Sequence, residues 1–546
     1  MKKFFGILLL ILIARDLRGA PLTRTIVVFP FVNQSSRTDL GWMSEGFAVA
    51  LSRRLAGVDR YVLDRRERNA AFEELGLNEA APTTLASVYK IAQKLGVDWA
   101  VVGNFDLKAN QLIARARLLD TVNLKLSAPV EAAGVLADLE DLETSLAWRM
   151  LAQHDPTFTV GKEEDFRKQF PDVRLDSFES YIRGIIAQDP ELRVRYLTES
   201  DRRNPADHRA AFELARYYYD QNDYAQCSVW LQKLAPSDPQ YQESLFLLGV
   251  SEYFLGHDQE AAKNFSTVAA DLPLNEAFNN RGAVEYRSGD YTAALADFER
   301  VVPGEGSNGE SVFNRGICLW ALRRYSEAAT ALEAALQSDN EDSEAHLLLA
   351  DTLVKLGNTA GAAEQQKWLA SHDDSSAPPS ALTPETAPQP RVMMNYTGRA
   401  YRLLAVKRRN ALEARVSNLP PAEHAAAHIA RARELINAGR PLDAQADLEE
   451  ATSLAPTNNE ARLLLARVYE AEGRHADAAA QLELSLRLDN SVAAQTWLAE
   501  IYLAQGHHDQ ALSHAQAALS LDPSDASAAQ IVHEIQGRNS SSRSRP

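Results

Sequence analysis

The sequence has very few cysteines. Only Cys227 and Cys318 occur among its 546 residues. Two thiols are too few for a disulfide-stapled scaffold, a four-cysteine zinc site or an iron–sulfur cluster. The chain must therefore hold its structure through packing, and its 45% hydrophobic and 24% charged residues make a packed globular protein feasible.

Positive charge is also in deficit. The 57 lysines and arginines face 74 aspartates and glutamates, which gives a formal net charge of −17. A general nucleic-acid binder needs a dominant basic surface, so nucleic acid is not an expected partner. A local basic patch remains compatible with this balance.

Enzyme motifs are absent from the sequence, which has no P-loop, HExxH, GxSxG or CxxC pattern. Gly304, Gly306 and Gly309 spell GxGxxG, but the segment before them has a helical pattern instead of the required strand. We interpret these glycines as a loop between helices. We therefore predict no catalytic residues, no cofactor and no small-molecule substrate.

A metal site is not expected either. His507, His508 and His514 lie close together in the sequence, but no suitably spaced carboxylate completes a ligand set. A solvated surface is the interpretation that we prefer for these histidines.

Long hydrophobic runs are missing except at the start. Lys2 and Lys3 precede eleven apolar residues, Phe4 to Ala14, which is the pattern of a secretory signal and is too short to span a bilayer of about 30 Å. We predict that residues 1–20 are a signal peptide or an N-terminal anchor. Residues 18–20 are a poor cleavage site, so both alternatives stay open. The expected location is the periplasm or the envelope.

Residues 21–155 mix strand and helix patterns. The sequence predicts strands over 25–32, 60–64, 98–105 and 112–118, and helices over 40–55, 83–95 and 138–152. Gly96 is the expected left-handed end of the second helix. This alternation predicts an α/β domain with a mixed sheet.

Several short stretches in this region resemble the TolB amino-terminal-like domain. They are residues 26–31 (IVVFPF) with Asn33, Gly41-Trp42, Glu45-Gly46, residues 95–98 (LGVD) and residues 101–103 (VVG). The resemblance implies contacts within bacterial envelope assemblies and carries over no catalytic residue. Some relatives are lipid-anchored through a cysteine, which this chain lacks.

A linker is predicted over 156–173, and beyond it the sequence repeats. Small residues recur every 33–34 positions, with one break between Ala362 and Ala444, and each has a second small residue twelve positions earlier. All except Ala362 also have a helix-ending residue twelve positions later. The later small residues are Cys227, Ala261, Ala294, Ala328, Ala362, Ala444, Ala478 and Ala511. Two antiparallel helices approach closely only where both side chains are small, so each period predicts a helix–turn–helix unit.

A 34-residue unit with these offsets resembles the tetratricopeptide repeat. We predict a first array over 174–372, with one degenerate unit (174–207) and five repeats, and a second array over 421–537, with three repeats and a capping helix. The fold class is therefore an α/β N-terminal domain followed by an all-α solenoid in two arrays. Cys227 and Cys318 would lie three units apart, too far for a disulfide, so two free thiols are expected.

The first helix of each repeat is expected to line a groove that binds protein or peptide partners. Two rows of predicted partner-binding residues lie on these helices: Phe212, Phe246, Asn279 and Phe313 in one, and Tyr219, Tyr253, Tyr286 and Trp320 in the other. The alternative is that some of these aromatic residues only pack between helices. Asn280 and Asn314 occupy an offset at which related repeats hold a peptide carboxylate, but the accompanying lysines are missing.

Between the arrays we predict an unpacked proline-rich linker over 373–391 and a basic helix over 392–420. The helix carries six cationic residues, Arg399, Arg402, Lys407, Arg408, Arg409 and Arg415. Docking onto the acidic repeats, a solvated helix, an acidic partner or an anionic lipid surface are the alternatives. Residues 538–546 are expected to be a disordered tail.

These patterns predict an exported bacterial scaffold or adaptor that binds protein partners in envelope assembly or secretion. Proximity to a membrane through the N-terminus is compatible with this prediction. The alternative is a sensory or regulatory input module without its own catalytic domain.

Overall fold

The computed structural model describes residues 24–543 except for 58, 78–83, 157, 159, 171–172, 236–237, 302–308, 373–381, 385, 404–418, 438–440 and 472. The predicted signal peptide therefore lies outside the described residues, as do residues 404–418 of the predicted basic helix. Residues 21–234 and 240–410 belong to one compact unit, and residues 411–546 to another.

A mixed seven-stranded sheet forms the centre of the N-terminal domain, as the alternating patterns predicted. Its strands are β1 (Arg24–Val28), β2 (Val32–Asn33), β3 (Arg60–Val62), β4 (Trp99–Lys108), β5 (Gln111–Asp120), β6 (Lys125–Leu126) and β7 (Val130–Gly134). The order is β3-β1-β4-β5-β6, with β2 also on β4 and β7 also on β5. β1 runs parallel to β3 and β4, whereas β5 runs antiparallel to β4, β6 and β7.

Helices cover both faces of this sheet. Alternate residues of β1 point to opposite sides, so Ile26 and Val28 join one hydrophobic core and Val27 joins the other. Five helices belong to the domain and to the segment that follows it: Trp42–Leu55, Arg65–Glu74, Leu85–Leu95, Leu139–His154 and Glu163–Arg167. Gly96 ends the third of them with φ of 63°.

The sequence analysis missed the helix Arg65–Glu74 and the strand β7. This helix is strongly polar, and its start is fixed by a capping box in which Asp64 accepts from the Glu67 amide and Glu67 accepts from the Asp64 amide. The local cap, rather than an apolar stripe, marks the helix in the sequence.

Six helical hairpins follow, beginning with the degenerate unit. Their helices are Leu175–Ile186 with Pro190–Arg203, Arg209–Asp220 with Tyr224–Leu231, Tyr241–Leu255 with Asp258–Asp271, Asn275–Arg287 with Tyr291–Phe298, Gly309–Ala321 with Tyr325–Ser338, and Ser343–Lys355 with Thr359–His372. We call them the first array. The small residues allow the close approach that their spacing predicted: a Cβ on Gly249 would lie 2.7 Å from the Phe265 ring.

The segment after the first array differs from its prediction. Residues 391–397 form neither helix nor strand, and within the described residues a helix covers only 398–403, so the predicted helical start at 392 is wrong. The predicted linker is also packed in part, because Leu382 and Ala387 belong to the hydrophobic core of the first array. The backbone here forms hydrogen bonds with asparagine side chains of the first array.

The second unit contains the second array. Its helices are Pro421–Asn437, Gln445–Leu454, Asn459–Ala471, His475–Leu488, Val492–Ala504, His508–Leu521 and Ala526–Arg543. The last helix continues to Arg543, beyond the predicted boundary at 537, so residues 538–543 are helical and not a disordered tail.

Candidate functional site

The first helices of the first array carry another segment of the same chain. Residues 391–403, which we call the docked segment, share a hydrophobic core with this array through Val392, Met394, Tyr396, Ala400 and Tyr401. Both lie in one compact unit of the structure. We call the surface beneath the docked segment the groove.

Two buried asparagines hold the backbone of the docked segment. Asn280 donates from Nδ2 to the carbonyl oxygen of Met393 at 2.8 Å, and its Oδ1 accepts from the Met393 amide at 2.7 Å. Asn314 does the same for Arg391, at 2.7 Å and 2.6 Å. Each clamp asparagine thus binds both backbone groups of one residue, and the bound residues are two positions apart, as the period of an extended strand requires.

Asn279 completes this polar row. It donates to the Arg391 carbonyl at 2.9 Å and accepts from Asn314 Nδ2 at 2.9 Å. All three asparagines are 0% exposed. Buried amides without partners would be costly, so the polar row is satisfied only while a peptide backbone lies against it.

The side chain of Arg391 is bound at one end of the groove. Its guanidinium donates to both carboxylate oxygens of Asp342 at 2.6 Å, lies 2.9 Å from Glu344, and stacks 3.9 Å from the centre of the Phe313 ring. Burial alone would raise the pKa of Asp342, but the hydrogen bond from Arg391 brings it below its ordinary value. A planar, bidentate and stacked site of this kind suits arginine better than lysine.

Tyr396 fills the middle of the groove. Its ring centre lies 5.0 Å from that of Phe246, its hydroxyl accepts from Arg216 at 2.7 Å, and it donates to Glu243 at 3.3 Å. Burial raises the pKa of the Tyr396 hydroxyl, which stays protonated at neutral pH. Next to it, Tyr219 donates to the carbonyl of Met394 at 2.8 Å.

Arg402 links the docked segment to the α/β domain as well as to the array. It donates to Glu243 of the array at 2.7 Å and to Glu67 of the α/β domain at 2.8 Å, and it lies 3.2 Å from Asp64. Arg399 adds a hydrogen bond to the carbonyl of Leu95 at 3.3 Å. Of the alternatives for the basic segment, its described part therefore docks onto acidic groups of its own chain.

The predicted partner-binding residues divide into two groups. Four contact the docked segment: Phe246, Asn279, Phe313 and Tyr219. The other four contact residues elsewhere: Phe212 lies under Arg66, Tyr253 under Arg287, Tyr286 beside Tyr291, and Trp320 donates to Asp351. Within the second row, three of the four side chains thus pack between neighbouring helices, which was the alternative interpretation for such aromatic residues.

Sequence reasoning did not select the residues that matter most in this geometry. Asn280 and Asn314 were in register 34 positions apart, but the missing lysines argued against a carboxylate clamp. A stronger signal was available, since two asparagines on an otherwise apolar helix face must each find a partner. That partner is an internal peptide backbone and not a chain terminus.

A second feature lies between the α/β domain and the first hairpin of the array. It is a cavity of about 240 Å³ whose lining includes Arg53, Arg54, Arg209, Glu140 and Glu143. Burial raises the pKa of Glu143 to about 8, although Arg54, 3.5 Å away, opposes this effect. Burial thus favours the protonated form of the Glu143 carboxyl.

The described residues contain no group of three or more His, Cys, Asp or Glu side chains that could hold a metal ion. His514 instead forms a hydrogen bond of 2.8 Å with Gln495. No helix in the described part of the chain has the length and apolar character to cross a membrane.

The fold defines a helical-repeat protein. Tetratricopeptide-repeat family models match residues 246–310, 313–376, 429–493 and 492–525. These segments are tetratricopeptide repeats, so the predicted repeat class and the predicted fold class are confirmed. Proteins built from such repeats generally act as protein-interaction scaffolds and are typically not catalytic.

Individual similarities are low. Sperm-associated antigen 1 of Rattus norvegicus is 25% identical over 118 residues, which are 22% of this chain and 13% of the rat protein. The structure of MamA from residue 41 onward, from Desulfovibrio magneticus RS-1, is 21% identical, with a TM-score of 0.29, and covers 31% of this chain and 97% of that one. YrrB, described as a TPR protein with an unusual peptide-binding site, is 18% identical, with a TM-score of 0.29, and covers 32% of this chain and 92% of its own.

Proposed function

We propose that this chain is an exported bacterial scaffold or adaptor that binds protein partners through the groove of its first array, in envelope assembly or secretion. The observation that carries the proposal is the pair of clamp asparagines. Asn280 and Asn314 contact the docked segment through its backbone groups alone, so they can hold a peptide of many sequences. Such a clamp serves a binding protein, since it orients a peptide without reacting with it.

Two further arguments support the proposed place of action. The N-terminal run of Lys2, Lys3 and residues 4–14 has the pattern of an export signal. The α/β domain resembles TolB amino-terminal-like domains, which make contacts within envelope assemblies. This domain would supply one contact to an assembly and the groove a second.

The test is differential capture from cross-linked, fractionated cells. The wild-type chain is compared with the double variant Asn280→Ala/Asn314→Ala and with the control Asn264→Ala, a half-buried asparagine on the second helix of a hairpin. We expect a set of envelope proteins that the wild type and the control capture and the double variant loses. Circular dichroism of the three chains shows whether the helices remain intact.

Two outcomes would contradict the proposal. If the double variant captures the same proteins as the wild type, the groove is not the partner site. If the chain is recovered only from the cytoplasm with regulatory proteins, the export prediction is wrong and the sensory input module becomes the better function.

A further inference from the structure

The docked segment shows which peptide side chains the groove can bind. We infer that the groove selects partner peptides with the pattern Arg-x-Met-x-x-Tyr and binds them in exchange for the chain's own residues 391–396. This inference rests on the proposed function, in which the groove binds protein partners. It specifies the side chains of the partner peptide and the displacement of residues 391–396 by which the peptide enters the groove.

Selection begins with the arginine position. The site around Arg391 contributes two carboxylates and an aromatic face. Glu344 and Phe313 lie on first helices of neighbouring repeats, and Asp342 caps the start of the helix that carries Glu344. Asp342 is nearly buried, so an empty site would leave its carboxylate without its main hydrogen-bond partner. An apolar or acidic residue at this position is therefore disfavoured.

The methionine and tyrosine positions are selected by burial and by two polar contacts. The Met393 side chain is buried, whereas Asn395, two positions later, is exposed. The site for Tyr396 combines an apolar wall, Phe246, with a donor, Arg216, and an acceptor, Glu243. A phenylalanine would fill the same space but would leave the two charged groups without the hydroxyl.

The clamp itself adds affinity but no selectivity. Asn280 and Asn314 contact only the amide and carbonyl of their residues, so every extended peptide satisfies them equally. Affinity and specificity are thus separated in the groove, and a foreign peptide with the three side chains, and with apolar residues in place of Val392 and Met394, can make the contacts that residues 391–396 make.

A partner peptide can bind in the groove only if it displaces the docked segment, because the docked segment already occupies the groove. The docked segment is part of the same chain, so it competes at an effective concentration of the order of millimolar. A partner peptide should consequently bind weakly to the wild-type chain and much more tightly when the docked segment is weakened. This dependence distinguishes exchange from binding at a separate surface.

The experiment measures binding of a fluorescein-labelled synthetic peptide with the sequence of residues 388–403 to the purified full-length chain. The wild type is compared with Arg391→Ala/Tyr396→Ala, which changes the docked segment and leaves the groove intact. We expect the variant to bind the peptide at least tenfold more tightly than the wild type. Adding Asn280→Ala to the variant should reverse this gain.

Peptide variants test the selectivity. Peptides with Ala in place of Arg391 or of Tyr396 should bind the Arg391→Ala/Tyr396→Ala chain at least tenfold less tightly than the unchanged peptide does. The matched control is a peptide with Ala in place of Asn395, whose side chain is exposed, and its affinity should stay within about twofold. Equal losses for the control and the Arg391 peptide would overturn the pattern.

A second measurement uses the unmodified protein and so does not depend on a variant that folds. Hydrogen exchange of residues 391–396 is followed in the wild type while a heavy-isotope-labelled peptide is added in excess. Faster exchange of the protein's own segment is expected as it leaves the groove. Unchanged exchange, together with equal peptide affinity of wild type and weakened chain, would overturn the inference.

These results are separable from the proposed function. Selective peptide exchange without clamp-dependent partners in cells would contradict the adaptor role and leave this inference standing. Clamp-dependent partners without selectivity among the peptides would contradict this inference alone.

Discussion

Arg402 and Glu243 form an ion pair 159 positions apart in the sequence, with Nη1 2.7 Å from Oε1. Glu243 lies at the start of a repeat helix and is almost fully buried, and burial raises the pKa of its carboxyl. The arginine also reaches Glu67, so one guanidinium neutralises acidic groups of both the array and the α/β domain.

Replacing Arg402 by Met should therefore destabilise the unit that contains both domains. The variant leaves the buried carboxylate of Glu243 without its cation, which typically costs about 3–5 kcal/mol. The double variant Arg402→Met/Glu243→Gln should recover part of this loss, because a neutral amide needs no counterion. Chemical denaturation of the three chains measures the effect, and a double variant as unstable as Arg402→Met would contradict the assignment.

The close approach of paired helices can be tested at Gly282. A Cβ there would lie 2.8 Å from the Phe298 ring and 3.1 Å from the carbonyl oxygen of Ala294, and the backbone oxygen cannot move aside. Overpacking costs about 1–3 kcal/mol, and alanine returns about 1 kcal/mol in helix propensity. We expect Gly282→Ala to lower the free energy of unfolding.

The control for this substitution is Gly161→Ala. No heavy atom outside the neighbouring residues lies within 4 Å of a Cβ at Gly161. Its midpoint of denaturation should match that of the wild type. If Gly282→Ala is as stable as this control, the glycine is not there for close packing.

Gly282 also shows why so much of the repeat architecture was predictable. Close helix pairing requires small residues at a fixed spacing, and this requirement recurs in every repeat. The register of the repeats can therefore be read from the sequence even where the other positions differ between repeats. The α/β domain was predictable for a similar reason, since its buried strands contain short apolar runs, such as residues 99–102 at the start of β4.

The docked segment was not predictable by the same reasoning. Residues 392–397 carry no strand or turn signal, and their conformation comes from hydrogen bonds to Asn280 and Asn314, more than 70 positions earlier. Arg391 had likewise no local feature that set it apart from the linker. The only sequence feature that indicates such a contact between distant segments lies in the groove. It is the pair of asparagines on the first helices, Asn280 and Asn314, whose hydrogen-bond partners the sequence does not identify.

The two thiols should be inert in the folded protein. Cys227 and Cys318 are both free and buried, and burial raises their pKa values to about 11 and about 12. The thiolate is the reactive form, so neither residue should react with a disulfide reagent at pH 8. Colorimetric titration should give no equivalents in buffer and two in denaturant, and a rapid equivalent from the native chain would contradict the burial of these side chains.

The buried carboxyl of Glu143 makes stability depend on pH. Its pKa is raised to about 8 in the folded chain from an ordinary value of 4.5, so between these values the folded state holds a proton that the unfolded state releases. The contribution of Glu143 to stability is therefore complete below about pH 4.5 and is lost as the pH rises through 8, with a slope of at most about 1.4 kcal/mol per pH unit.

Glu143→Gln keeps a neutral side chain at every pH and should remove this slope. Relative to the wild type it should gain of the order of 4 kcal/mol between pH 4.5 and 8. Denaturant unfolding at four pH values measures the gain, with the exposed Glu164→Gln as the control that should follow the wild-type curve. A Glu143→Gln curve parallel to that of the wild type would show that this carboxyl is ionised in the folded chain.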